Sequence, residues 1–217
     1  MIDLHTHTLL SDGELLPSEL VRRAEVKGYT AIALTDHADT SNIDFIVPRL
    51  VKVSRTLNAH WKIRSIPGVE ITHAPIQEIA RLVRAARKYG ARIVLVHGET
   101  VSEPVIPGTN RYAIEAGCDI LAHPGLISEE DARLAARKGV CLEITTRKSH
   151  RATNRHVFER ARRVGAKLVL NNDAHSDMNL VSETQAKAIL RLLAHNDAEY
   201  IKEILDNSAN LARKALR

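Results

Sequence analysis

The sequence predicts a single α/β domain of about seven strand–helix units of ~30 residues each, wrapped as a closed or nearly closed parallel barrel. Three observations point there. Apolar runs of strand length alternate with amphipathic stretches along the whole chain. Gly28, Gly90, Gly117, Gly139 and Gly165 each fall just before a strand-like run, where a helix feeding a strand ends. Histidines and carboxylates recur at the far ends of those runs, the end of a parallel barrel on which sites are built.

The expected strands cover residues 2–7, 31–36, 63–71, 92–97, 119–123, 141–145 and 167–171. Met1, Ile2 and Leu4 open the first, which then aims His5 and His7 in one direction, because residues two apart on a strand share a face. Helices are expected at 18–28, 42–58, 75–89, 110–117, 129–138, 153–164, 183–194 and 198–215. In the third, Ile79, Leu82, Val83 and Ala86 follow i, i+3, i+4, i+7 spacing and Gly90 closes it. Ser128 with Asp131, and Ser182 with Gln185, have capping-box spacing. The last two helices have no strand between them and belong on the outside. No linker, low-complexity tract or second domain interrupts 1–217. A doubly wound open sheet is the structural alternative, but no GxGxxG follows the first strand.

With 44% hydrophobic and 26% charged residues, the 217-residue chain has the make-up of a soluble globular domain with one sizeable core. No run approaches the ~20 apolar residues of a membrane span, so no membrane partner is expected. The first strand starts at residue 2, which leaves no room for a signal peptide; the expectation is a cytoplasmic protein. Cys118 and Cys141 lie apart in apolar stretches and form no zinc-type pair; they are expected to be small buried hydrophobes. A net charge of +5 suits a phosphate-bearing partner without requiring one.

The strand ends carry the chemistry. In order they hold His5 and His7, with Asp12 in the next loop; Asp36 and His37 in TDHAD; Glu70 in PGVEIT; His97 in LVHGE; His123 in LAHPG; and Asp173 and His175 in NNDAHS. Strand six offers Glu143 and then TTRKSHR. One histidine at the end of an apolar strand is ordinarily a hydrogen-bonded core residue. Six histidines with several carboxylates at corresponding points are different, because burying them together uncompensated costs several kcal/mol each. Divalent cations remove that cost, since imidazole and carboxylate are their ligands. The set exceeds what one ion can take up, so two or three are expected, and His5 and His7 are read as ligands of one ion.

These motifs together resemble the polymerase and histidinol phosphatase (PHP) family of phosphoesterases, in the family's order and over nearly the whole chain. The resemblance implies a distorted seven-stranded (β/α) barrel of the TIM-like kind and a site for zinc, manganese or iron. It implies that His5, His7, Glu70 and Asp173 hold one ion, that Glu70 bridges to a second held by His97 and His123, and that His37, His175 and Asp12 hold a third. Relatives often have histidine where Asp12 stands. The resemblance further implies hydrolysis of a phosphate ester without a covalent enzyme intermediate, with Glu70, His123 and Asp173 central to the reaction.

Two ions about 3.5–4 Å apart lower the pKa of a shared water and aim it at phosphorus. The loop TTRKSHRATNR is the expected phosphate grip, through Arg147, Lys148 and Arg151 with His150 among them, since guanidinium forks match phosphate oxygens. Arg111 is a second candidate. Asp36 is expected to orient a ligand histidine, and Glu143 to lie inside the barrel behind the ligands. His60, His156 and His195 are expected to face solvent, and His73 to sit on the surface or line the cavity. The expected substrate is a small phosphomonoester such as histidinol phosphate, a nucleotide or a sugar phosphate, rather than nucleic acid. Two other classes remain open: an amidohydrolase-type C–N or lactone hydrolase, and a non-enzymatic RNA-binding subunit with a similar barrel. The first typically needs a carboxylated lysine near strand four, which this chain lacks. Against the second stand the full set of ligand positions and an aromatic content of 3%, low for base stacking.

Overall fold

A computed structural model describes residues 1–217. The elements are β1 (Ile2–Asp3), α1 (Pro17–Val26), β2 (Ala31–Leu34), β3 (His37–Ala38), α2 (Ile43–His60), β4 (Arg64–Ile71), α3 (Ile79–Tyr89) and β5 (Ile93–His97). There follow α4 (Thr109–Ala116), β6 (Ile120–Ala122), α5 (Glu129–Lys138), β7 (Cys141–Thr145), α6 (Asn154–Val164), β8 (Leu168–Asn171), α7 (Glu183–Leu193) and α8 (Ala198–Ala215). All ladders are parallel, in the order β1-β2-β4-β5-β6-β7-β8. The two-residue β3 resumes β2 after a break at Thr35 and Asp36 and pairs with β4, setting His37 opposite Glu70. The result is the expected single-domain, nearly closed barrel of seven parallel strands.

Strand alternation sorts the core into two layers. Val94 and Val96 of β5, Leu142 and Ile144 of β7, and Leu168 and Leu170 of β8 face outward into a layer shared with Leu82, Ala86, Phe158 and Leu190 of the helices. Ile93 and Leu95, Ile120 and Ala122, Cys141 and Val169 face inward and fill the barrel. Ala212 and Ala215 of α8 join this inner cluster, and Arg92 Nε donates to the Ala215 carbonyl at 3.1 Å. The last helix therefore stoppers the N-terminal mouth. Both cysteines are buried, as expected.

Helix signals read from sequence operate largely as written. In α3, Ile79, Leu82, Val83 and Ala86 are the buried residues, and Gly90 closes the helix at φ 102°, a left-handed conformation that glycine adopts without a Cβ clash. Ser182 and Gln185 form a reciprocal capping box. Ser128 only caps, its hydroxyl accepting from the Asp131 backbone, because the aspartate carboxylate turns to the Ser128 hydroxyl instead of the backbone.

The first strand departs from expectation. Its regular ladder ends at Asp3, although extension through His7 was expected. Side chains take over the backbone donors: Leu4 N bonds Asn171 Oδ1 (2.9 Å), Thr6 N bonds Thr35 Oγ1 (3.0 Å) and Thr8 N bonds Asp36 Oδ1 (2.8 Å). Between β1 and β8 a single bridge, Thr6 to Ala174, replaces a ladder, and Asn172 and Asp3 stitch the seam through two bonds at 3.1 and 2.7 Å. Buried backbone groups must be paired, and polar side chains pair them where the strands diverge.

Candidate metal centre

The inward faces of the strands deliver the donors. Along β4 the alternation that buries Ile66 in the barrel carries Glu70 inward two steps further on, and along β5 Ile93 and Leu95 are followed by His97. Val169 and Asn171 of β8 are followed on the same side by Asp173, two residues beyond the strand's end. Asp173 and His123 hold left-handed φ angles of 51° and 27°. Such values are uncommon outside glycine and cost of order 1–3 kcal/mol, a strain concentrated at functional sites. Gly13 of the SDG stretch lets its loop fold over the first strand, since a Cβ there would lie 2.3 Å from the His7 carbonyl oxygen.

All nine sequence-nominated ligands converge at this end. Their donor atoms form four overlapping sets able to hold an ion: His5, His7, Glu70; His5, His123, Asp173; Glu70, His97, His123; and His7, Asp12, His37, His175. Glu70 Oε2 lies 3.3 Å from His5 Nε2, 3.6 Å from His7 Nε2 and 2.8 Å from His37 Nδ1, and its Oε1 lies 3.5 Å from His123 Nε2. Asp173 Oδ1 is 3.1 Å from His7 Nε2, and Asp12 Oδ2 is 3.1 Å from His175 Nε2. Arg147 enters the same pocket, its Nη1 donating to the Asp173 carbonyl at 3.1 Å and to His175 Nδ1 at 2.7 Å.

The fit of a cation is tested by what the protein leaves unpaired. His5 Nε2, both nitrogens of His7, both carboxylate oxygens of Glu70, and His123 Nδ1 are buried without a hydrogen-bond partner. An orphaned buried polar atom costs about 1–3 kcal/mol, and more when charged. The polar atoms nearest most of them belong to the same donor set, among them Glu70 Oε2 with His37 Nδ1 at 2.8 Å and His7 Nε2 with Asp173 Oδ1 at 3.1 Å, in geometry that makes no hydrogen bond. Divalent cations would satisfy them.

Charge states agree with that donor role. Burial disfavours ionisation of Glu70, yet His5 and His37 outweigh it and hold the carboxyl well below its usual range. Asp12 and Asp173 are likewise held low by neighbouring histidines against burial. Burial, reinforced by His37, lowers His7 to about 3, so its ring is neutral. Burial also opposes protonation of His37, but Glu70 and Asp12 prevail and lift it to about 10. A cation there competes with that proton.

Supporting residues divide between those foreseen and those not. Glu143 Oε1 accepts from His5 Nδ1 and Asn171 Nδ2, both at 2.8 Å, and its Oε2 accepts from the His123 backbone at 3.0 Å. Asp36 touches no histidine, contrary to expectation; it accepts from Thr8 N, Thr8 Oγ1 and Ser11 Oγ, and so fixes the loop that bears Asp12. Arg111 is spent on Asp131 and Glu130 of α5 and lines neither the donor pocket nor the groove beside it. His156 is part-buried, with Nε2 donating to the Ile127 carbonyl at 2.8 Å, rather than facing solvent.

Lys148 and Arg151 line a neighbouring groove of about 870 Å³, which shares Arg147 and His175 with the donor pocket of about 300 Å³. Glu103 was not foreseen. It descends from the loop after β5 to within 3.1 Å of His73 Nε2, 3.2 Å of His97 Nε2 and 3.4 Å of His150 Nε2, and the His97 bond, working against burial, keeps it at about 2. Its only sequence signal is a position in a strand-to-helix loop at the site end. His150, expected within the phosphate grip, is buried at the wall of the donor pocket, its Nδ1 within 2.8 Å of the Thr100 and Ser102 hydroxyls.

A seven-strand barrel with imidazole and carboxylate sets gathered at its C-terminal end is a scaffold suited to holding divalent cations. The model of the PHP domain matches residues 3–214, and the chain belongs to that family of metal-dependent phosphoesterases. Over 189 residues it is 46% identical to an uncharacterised protein of Methanocaldococcus jannaschii, covering 86% of this chain and 87% of that one. A 70-residue stretch, 32% of this chain and 22% of the relative, is 43% identical to the 5′-3′ exoribonuclease Rnm of Escherichia coli. The fold superposes with a TM-score of 0.74 and 19% identity on a chain in the structure of archaeal ribonuclease P with mature tRNA, covering 99% of this chain and 91% of that one. No helix is long and apolar enough to cross a membrane.

Proposed function

We propose that the protein is a metal-dependent phosphatase that hydrolyses a small phosphomonoester such as histidinol phosphate, a nucleotide or a sugar phosphate. The observation that carries this reading is the group of six buried donor atoms left without partners at one end of the barrel, beside an arginine. His5, His7, Glu70 and Asp173 would hold one divalent ion, Glu70, His97 and His123 a second, and Asp12, His37 and His175 a third. Zinc, manganese and iron all suit this mixture of imidazole and carboxylate. Held by these residues, divalent ions would supply an activated water and would neutralise phosphoryl oxygens.

The chain's own groups do the rest. Arg147 presents a planar fork of donors at the pocket wall and orients the phosphate. Glu143 fixes the His5 ring so that Nε2 points at the donor set, a carboxylate–histidine arrangement that sets the tautomer. Asp36 holds the Thr8–Ser11 turn and thereby places Asp12. The walls of the pocket, which has no hydrophobic lining residue, exclude nothing polar and suit a charged ester.

A second reading rests on the groove. Its Lys148 and Arg151 continue the cationic path from Arg147, and the stretch related to an exoribonuclease makes a 5′-phosphorylated RNA end a competing substrate. One panel separates the two: p-nitrophenyl phosphate, histidinol phosphate, nucleotides and a 5′-phosphorylated oligoribonucleotide, each with manganese and with zinc. Release of inorganic phosphate from a small ester supports the first reading. Cleavage of the oligonucleotide alone replaces it with the second, and inactivity on every substrate with metal bound removes both.

A further inference from the structure

His7 differs from the other histidines of the donor set. His5 commits Nδ1 to Glu143 and His97 commits Nδ1 to the Gly98 carbonyl at 3.1 Å, so each offers one free nitrogen to the pocket. His7 commits neither. Both its nitrogens are buried without a hydrogen-bond partner, and the residue has no exposed surface. They also face different donor sets. Nε2 looks towards Asp173 Oδ1 at 3.1 Å and Glu70 Oε2 at 3.6 Å. Nδ1 looks towards Asp12 Oδ1 at 3.9 Å, and His7, Asp12, His37 and His175 offer ligand atoms that all lie within 4.8 Å of one another. His123 Nδ1 is unpartnered too, but both carboxylates near that ring approach its Nε2.

A neutral imidazole carries one N–H, which needs an acceptor. For His7 the nearest acceptor on the Nδ1 side is too distant for a hydrogen bond, and on the Nε2 side the carboxylates are those of the donor set itself. We propose that His7 ligates through both nitrogens, Nε2 to the ion cradled by His5, Glu70 and Asp173, and Nδ1 to the ion held by Asp12, His37 and His175. The inference rests on the reading that these sets hold divalent ions. Two N–metal bonds form, the single N–H breaks, and its proton passes to solvent, leaving an imidazolate between two dications. The third ion is then tied to the first through one shared ring, even though Asp12 is half exposed.

Zinc bound at equilibrium, measured by elemental analysis after dialysis, tests this in the intact protein and in His7→Gln and His37→Gln. His37→Gln is expected to lose one equivalent and His7→Gln two. Loss of only one equivalent in His7→Gln, with the Asp12–His37–His175 ion retained at wild-type affinity, overturns the proposal and leaves the metal reading standing. Failure of the wild-type protein to bind zinc at all overturns both. A measurement on the wild-type protein guards against misfolding of the variant: in ¹⁵N-histidine correlation spectra of the zinc-loaded form, the His7 ring is expected to show two zinc-shifted nitrogens and no N–H. A retained N–H on that ring overturns the proposal.

Discussion

The two ends of the barrel interior are built on the same strands and the same face, yet they solve opposite problems. At the N-terminal end, Leu4, Ile66, Ile93, Leu95, Ile120 and Val169 pack against one another and against the alanines of α8. Further along those strands, by two residues from Leu95 on β5 and by four from Ile66 on β4, or about 7 and 13 Å at 3.3–3.4 Å per residue, the inward positions become His97 and Glu70, with Glu143 on β7. The lower layer needs nothing from outside: it is apolar, buried and stoppered. The upper layer is just as buried but keeps six donor atoms unpaired. Within one continuous interior, the fold stabilises itself at one end and leaves the other to be completed by a ligand.

The sharpest way to break the comparison is to exchange the vulnerabilities of the two layers. Glu70→Gln is expected to lower metal-dependent phosphatase turnover by about 10³-fold or more, the scale of losing a principal electrostatic element. In the metal-free protein it should cost stability while His37 holds its proton, since Glu70 is one of the carboxylates paired with that ring, and the cost should fade as pH rises towards 10. Leu95→Ala should cost about 2–5 kcal/mol of stability by opening a cavity while sparing zinc stoichiometry. Parallel thermal melts and zinc titrations read both. A loss of metal-free stability in Glu70→Gln that persisted undiminished at pH 10 would erase the distinction between the layers.

Metal removal should act on the upper layer alone. Each ion supplied at a hundred times its dissociation constant stabilises the native state by about 2.7 kcal/mol, so a chelator should lower the melting temperature by several degrees. The same shift is expected in Leu95→Ala, as the two layers share no donors. Non-additive shifts, measured by calorimetry with and without chelator, would show that the apolar layer tunes the donors above it.

The pH dependence sharpens the comparison further. His37 is held near 10 in the metal-free protein against 6.5 when free. Its folded pKa is raised, so the stability gained from its carboxylate partners is complete below pH 6.5 and disappears as pH rises towards 10. Metal binding runs the other way: it must displace that proton, so apparent zinc affinity should climb with pH over the same interval, with proton release visible in calorimetry in buffers of differing ionisation enthalpy. His37→Gln should flatten both trends.

How much of this was legible in the sequence follows from the same contrast. Residues whose place depends on strand alternation were readable: Glu70, His97 and Asp173 sit at the ends of apolar runs, and the run fixes both depth and direction. The helices were readable from their own periodicity, α5 and α8 with the expected limits. What escaped depends on chain segments that meet only in three dimensions. The β1 ladder stops at Asp3 because Asn171, Thr35 and Asp36, all distant in sequence, supply the acceptors. Glu103 reaches three histidines through the path of a loop, and Arg111 is drawn off by the acidic first turn of α5. No local pattern encodes either.

Asp36 and Glu143 mark the boundary between the layers, and they offer a smaller perturbation than the donors. Both are fully buried carboxylates, but each is satisfied by hydrogen bonds within the protein, unlike Glu70. Residues that orient ligands without binding the ion typically change metal affinity 10–100-fold when altered, and Glu143→Gln should fall in that range through the His5 ring. Asp36→Asn acts at one remove, on the turn that places Asp12, so its effect should be confined to one equivalent of zinc. If Asp36→Asn weakened every equivalent alike, Asp36 would belong to the foundation of the barrel rather than to the outer donor set. The polar layer would then begin one residue deeper than the unpaired atoms place it.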